Sequence, residues 1–206
     1  MRRVGNTHKA VLAAALVLGG LGAVLCRSNS REPEYAGRTL HSWLAKAEEV
    51  WLRGSALTKD PVQDEVASAV RKIGTNALPE LIRLLESRDG AISRGLAAWG
   101  HACPELPFHP AGAEQKHIRA LLGFKFLGPV AGPAVPKLIA LLQSSEEETA
   151  LLAARALARI GPAATNAVPS LIKNLSDPDL SVRLAATNAL RRIAPLAALN
   201  AGTRMG

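Results

Sequence analysis

LGPVAGPAVPKLIALL (residues 127–142) and IGPAATNAVPSLIKNL (residues 160–175) begin 33 residues apart and share one order of glycine, proline and apolar positions. A third occurrence, IAP, opens at Ile193, again 33 residues on. Earlier, IGTNALPELIRLL (residues 73–85) follows the same order with three residues fewer in its turn. TNALPELI (residues 75–82) and TNAVPSLI (residues 165–172) are nearly one string. Self-similarity at such a period marks a stacked repeat architecture, in which each unit buries its apolar face on the next.

Each unit reads as helix, turn, helix. ETALLAARALARI (residues 148–160) sets Leu151, Leu152, Ala156, Leu157 and Ile160 on one face at helical spacing. Gly161-Pro162 stops that helix. The second helix is expected to start at Thr165 or Asn166, with Pro169 in its first turn, where a missing N–H costs little. Val168, Leu171, Ile172 and Leu175 form its expected buried face. Asp177-Pro178 closes the unit and is expected to cap the next helix, which turns Val182, Ala186, Leu190 and Ile193 inward. Asp60-Pro61 plays the same part before a helix over residues 61–73.

An Ala-rich helix, then Leu/Ile-Gly-Pro, then AVPxLIxxL, then DPDLSVR (residues 177–183) resembles HEAT repeats in their short-period form, over about residues 60–90 and 113–195. The resemblance implies an all-α fold, a right-handed α-α superhelix of about three and a half helical-pair repeats, with a scaffolding role and no reaction. YAGRTLHSWL (residues 35–44) is similar to a string that follows the anchor in exported bacterial HEAT-repeat proteins. Bilin-lyase-like HEAT proteins are enzymes with similar short repeats, so the fold by itself leaves catalysis open.

Composition agrees with helix packing on helix. Hydrophobic residues make up 48% of the chain but aromatics only 3%, so the apolar content is Ala, Leu, Val and Ile. That mix argues against a β-sandwich, which enriches aromatic and β-branched residues. The net charge of +8 is concentrated at the start: Arg2, Arg3, Lys9, Arg27 and Arg31 meet no acid, leaving 20 basic and 17 acidic side chains in residues 32–206. No basic stripe of the kind nucleic-acid binding needs is present, so nucleic acid is set aside as a partner.

Behind the basic start, Ala10 to Cys26 runs without a charge, which reads as a signal peptide or N-terminal signal anchor over residues 1–26. Leu25 opposes both an A-x-A cleavage site at the end of the run and lipidation of Cys26. The positive flank keeps the N-terminus cytoplasmic and places the bulk of the chain outside. A polar linker is expected over residues 27–38 and an N-terminal capping helix over residues 39–59, with Leu40, Trp43, Leu44, Ala47, Val50 and Trp51 on its buried side and Glu48 and Glu49 on its polar side. Interfacial membrane anchoring by Trp43 and Trp51 is a rival reading of that helix. Repeats then fill residues 60–206, interrupted by an insertion at residues 91–112. After Ala194-Pro195 the sequence LAALNAGTRMG stands where a second helix would come, so the last repeat reads as unfinished.

Chemistry is sparse. His101, Cys103, His109 and His117 fall within seventeen positions, yet their spacing fits no structural zinc pattern. Cys103 as a nucleophile lacks a recognisable base. No paired carboxylates stand in an apolar setting; Glu146, Glu147 and Glu148 suit a helix N-terminus. No catalytic, cofactor or metal residue is therefore assigned. Surface remains: aligned second helices put Glu80 and Lys137 at one exposed position, Arg83 and Lys173 at another, and Leu84, Leu141 and Asn174 at a third, a ridge suited to a protein or peptide. The leading reading is a non-catalytic protein-binding scaffold on the extracytoplasmic side of a bacterial membrane. Two alternatives stay open: an enzyme or metal-binding protein using residues 101–117, and a structural subunit that self-associates through the unfinished C-terminal repeat.

Overall fold

A computed structural model describes residues 32–53, 60–89 and 112–202, with side chains up to residue 198. The chain divides into two units between Glu32 and Pro33, and all the helices described belong to the second. The export segment at residues 1–26, the end of the expected capping helix and nearly all of the insertion lie outside the described residues.

The second unit opens with a hairpin where a plain linker was expected. Strand β1 (Glu34–Tyr35) pairs antiparallel with β2 (Arg38–Thr39) around Ala36 and Gly37, both at positive φ, as a tight two-residue turn requires. Thr39 then caps α1 (Leu40–Leu52) by accepting from the Ser42 N–H at 3.3 Å. Trp43 ties the two pieces together: its Nε1–H donates to the Tyr35 carbonyl at 3.1 Å, and the Arg38 guanidinium lies 5.1 Å from its ring centroid. The YAGRTLHSWL string is thus a hairpin-and-helix plug, with Leu40 and Leu44 fully buried. Trp51 departs from expectation. It stands 41% exposed near the helix end, so Trp43 alone of the two tryptophans covers the first repeat.

Helical pairs follow. First helices are α2 (Pro61–Ile73), α4 (Ala113–Leu127), α6 (Glu147–Ile160) and α8 (Leu180–Ile193). Second helices are α3 (Leu78–Leu85), α5 (Val135–Leu142), α7 (Val168–Lys173) and α9 (Pro195–Gly202). First helices stack in order, α2 on α4, α4 on α6 and α6 on α8, while α1 lies against both α2 and α4. The stretch Ala113–Leu142 is long and apolar enough to cross a membrane, but it is two core helices broken at Gly128.

The breaks obey the period. Gly74, Gly128 and Gly161 end the first three first helices at φ 63°, 52° and 72° with ψ −140°, −129° and −143°, a region open essentially to glycine. Each leads into a 3₁₀ run: Gly74–Ala77, Gly128–Ala134 and Gly161–Ala167, the first of 4 residues and the others of 7. Those i→i+3 turns supply partners for the N–H groups that a side-chain cap would otherwise serve. Thr165 and Asn166 are accordingly not N-caps; the Thr165 hydroxyl donates to the Pro162 carbonyl at 2.6 Å. At the fourth turn the residue is Ala194, at φ −144° and ψ 78°. Without the glycine geometry the chain skips the 3₁₀ run and enters α9 at once.

That helix corrects the expectation of an unfinished repeat. Pro195 is pre-set for a helix start and the residues after it are Ala-rich, strong helix formers. Ala198 packs on the core, while Leu196 is 78% exposed. Two further corrections are local. The cap of α8 is Asp179, whose Oδ1 accepts from the Val182 N–H at 2.9 Å; Asp177 instead accepts from the Asp179 N–H at 2.9 Å, holding the turn that precedes it. Ile172 is 41% exposed, whereas Ile82 and Ile139 at the same repeat position are half-buried on the core. The next second helix, α9, packs against α8, so no second helix of the same kind covers Ile172.

Candidate functional site

The residues of the expected ridge on the second helices differ in their exposure. Glu80, Arg83, Lys137 and Lys173 reach the surface, and Leu141 is half-buried. Most of their charges are engaged: Glu80 accepts from Arg83 at 2.8 and 2.6 Å, and Lys137 lies 2.8 Å from Glu86 of the preceding unit. Leu84 does not line the ridge. It is 3% exposed because it stands three residues after Leu81, on the same stripe as Leu78 and Leu85. Asn174 is also turned inward, three residues after buried Leu171, where its Nδ2–H donates to the Leu142 carbonyl at 3.1 Å. It thereby satisfies a carbonyl at the C-terminal end of α5, one of those a helix leaves unpaired.

Of the four residues considered as ligands, His101, Cys103 and His109 lie outside the described residues. His117 is on α4 and buried, its Nε2 donating to the Ser87 carbonyl at 2.9 Å and its Nδ1 lying 3.3 Å from Glu148 Oε1. Nearby, Asp89 Oδ1 accepts from the Ala113 N–H at 2.9 Å and so caps α4. Asp89 and Gly112, 23 positions apart in the sequence, therefore lie side by side. Among the described residues, no group of three or more His, Cys, Asp or Glu is placed to hold a metal ion.

Reading by residue type missed a buried polar cluster. Glu48, expected on the polar side of α1, is 4% exposed and accepts from Arg119 Nε at 2.5 Å. A second guanidinium nitrogen, Nη1, lies 2.6 Å from His41 Nε2; since arginine can only donate, that ring nitrogen is the acceptor. Spacing held the signal: Glu48 follows Leu44 by four residues, squarely on the stripe of Leu40, Trp43, Leu44 and Ala47. The cluster joins α1 to α4, and Glu48 Oε1 is left without a hydrogen-bond partner.

One open groove of about 300 Å³ runs across the first-helix side, between the end of α1 and helices α4, α6 and α8. Ile118 and Leu121 give it an apolar floor and Trp51 one wall. Arg155, Arg159 and Arg192 stand around it, and among the described residues no acid lines it. Partial desolvation, with the positive charges of Arg192 and Arg155 beside it, lowers the pKa of Arg159 below the ordinary guanidinium value.

The family model for HEAT repeats matches residues 135–201, which span α5 to α9. No curated protein matches the chain. HEAT repeats generally serve as protein-interaction scaffolds and are typically non-enzymatic.

Proposed function

Because residues 135–201 match the family model for HEAT repeats, we propose that the chain is a non-catalytic scaffold that binds a protein or peptide partner on the extracytoplasmic side of a bacterial membrane. The observation that carries this reading is the division of labour among polar side chains. The buried ones, Glu48, His117 and Asn174, are engaged in holding helices together. Those at the surface include Glu80, Arg83, Lys137 and Lys173 of the expected ridge and the arginines that line the groove. His117 is tied to Ser87 in the core, which weakens the alternative of a metal or catalytic site at residues 101–117. Placement outside the cytoplasm is supported by the basic flank and uncharged run of residues 1–26.

Crosslinking of the full-length chain in membranes of the source organism, followed by mass spectrometry, tests the scaffold. A stoichiometric protein crosslinked through Lys125, Lys137 or Lys173 is the expected product. Recovery of the chain without a crosslinked protein would count against it. A phosphatase reporter fused after residue 206, active only outside the cytoplasm, tests the location; a silent but expressed fusion would reverse the assignment.

A further inference from the structure

Several charged side chains among the described residues are matched. Lys46 pairs with Glu65, Arg53 with Glu49, Arg88 with Glu146 and Lys137 with Glu86, while Arg71 and Arg183 donate to backbone carbonyls. Arg155, Arg159 and Arg192 enter none of the ion pairs among the described residues, and they face one groove together. Arg155 and Arg159 are four apart on α6, a spacing at which like charges repel. Such a cluster adds like-charge repulsion to the fold.

Its placement follows the repeat. Arg159 and Arg192 are 33 residues apart, the same position on successive first helices, and Arg155 lies one turn before Arg159. Neighbouring packed helices stand about 8–10 Å apart. A chain in the extended polyproline II conformation rises about 3.1 Å per residue with three residues per turn, so every third residue returns to the same edge about 9 Å on and would meet the next rung.

Among the described residues no acid lines the groove, and the remaining segments offer little counter-charge. Residues 1–31, 54–59, 90–111 and 203–206 each carry a net charge of zero or above, and Glu105 is their only acid. Nucleic acid would need basic surface well beyond one groove. A membrane surface would meet cations spread over a flat face, whereas these converge on a trough floored by Ile118 and Leu121 and walled by half-exposed Trp51.

Building on the scaffold reading, we infer that this first-helix groove docks an acidic, extended peptide segment of a partner protein, with carboxylates at every third residue on Arg159 and Arg192 and an intervening apolar side chain against Leu121 and Trp51.

The test is fluorescence anisotropy with the full-length chain in non-ionic detergent and a labelled peptide of Glu-Ser-Leu repeats. The Gln-Ser-Leu analogue and a peptide of the same composition with its glutamates grouped at one end serve as comparisons. The regular acidic peptide is expected to bind, with affinity falling as salt rises. Each comparison peptide is expected to bind roughly tenfold more weakly or worse, the scale of a lost charge-assisted bond. Arg159→Gln with Arg192→Gln is expected to abolish binding while melting at or above the parent temperature, since repulsion is relieved; Lys46→Gln with Arg88→Gln, two surface cations outside both the groove and the ridge, is expected to leave binding unchanged. Equal binding of regular and grouped peptides would overturn the docking geometry. Full displacement by phosphatidylglycerol vesicles or inorganic phosphate would reassign the cluster to a lipid or a small anion, and glutamate-dependent self-association to a second copy. Binding lost only on changing Arg83 and Lys173 would overturn the groove and keep the scaffold. A crosslinking experiment that yields no partner would remove the scaffold itself.

Discussion

Replacing Gly123 by alanine sets two effects of opposite sign against each other. In an open helix the change is favourable by about 0.8–1.0 kcal/mol, because glycine has more backbone freedom to lose. Gly123 lies in the middle of α4, where that helix crosses α3. A Cβ there would press on Leu81 Cδ2 inside van der Waals contact, with Cδ1 at 2.9 Å and Cγ at 3.2 Å. Leu81 is 0% exposed, so its side chain has no open space into which to retreat. Overpacking of this kind costs about 1–3 kcal/mol, and the expected net is a destabilisation of roughly 1–2 kcal/mol. Urea unfolding followed by circular dichroism measures it. The same substitution in a Leu81→Ala background should change sign. Leu81→Ala alone removes about 2–5 kcal/mol, but the new methyl then fills part of the vacated space and keeps its helix advantage, for a gain of up to about 1 kcal/mol. If Gly123→Ala stabilises the parent protein as it would an open helix, the close approach of α3 and α4 is wrong.

Three further outcomes are expected. Arg119→Ala, which leaves Glu48 buried without its counter-ion, should cost about 3–5 kcal/mol by denaturant unfolding, whereas Glu48→Leu with Arg119→Met should stay near the parent; equal losses in both would show that the pair's charge is irrelevant. Gly74→Ala, Gly128→Ala and Gly161→Ala should each cost about 1–3 kcal/mol from backbone strain alone, because an added Cβ meets no atom within 4 Å at any of them; a large spread among the three would contradict their equivalence. His117→Phe, which removes the bond to the Ser87 carbonyl, should cost about 1–3 kcal/mol and speed hydrogen exchange at residues 112–116; unchanged exchange there would show that this bond does not steady the start of α4.

The period was legible because it is written in backbone chemistry. Only glycine tolerates the geometry of Gly74, Gly128 and Gly161, and proline is welcome only in a first turn, so these residues announce helix ends whatever lies around them. The core stripes of α6 and α8 were legible for the same local reason, through spacing. What failed depended on neighbours. Leu84 and Asn174 were placed outward by alignment of residue types, although each stands three positions after a buried leucine. Glu48 was sent to the polar side by its charge, and only Arg119, 71 residues away, explains its burial. The groove could not be read from the sequence, since it needs Trp51, Leu121, Arg155 and Arg192 from four helices. Even so, the equivalence of Arg159 and Arg192 was available from the 33-residue period.

Where a repeat array departs from its own pattern, the departure has a physical consequence that separates closure from recognition. Ala194 replaces the turn glycine and brings α9 directly onto α8; Asn174 replaces a leucine and bonds back to the preceding unit. Both departures act inward, and both are satisfied by groups already present. The cations of the groove do the reverse, since they keep to the period and find no acid in the groove they line. A position that repeats while leaving its charge unmatched gains nothing from stacking, because stacking is supplied by the alanines and leucines between. Two such arginines, one per unit, are intelligible if the ligand also repeats, and an acidic segment in the extended polyproline II conformation is the simplest ligand whose own spacing can match a ladder of helices.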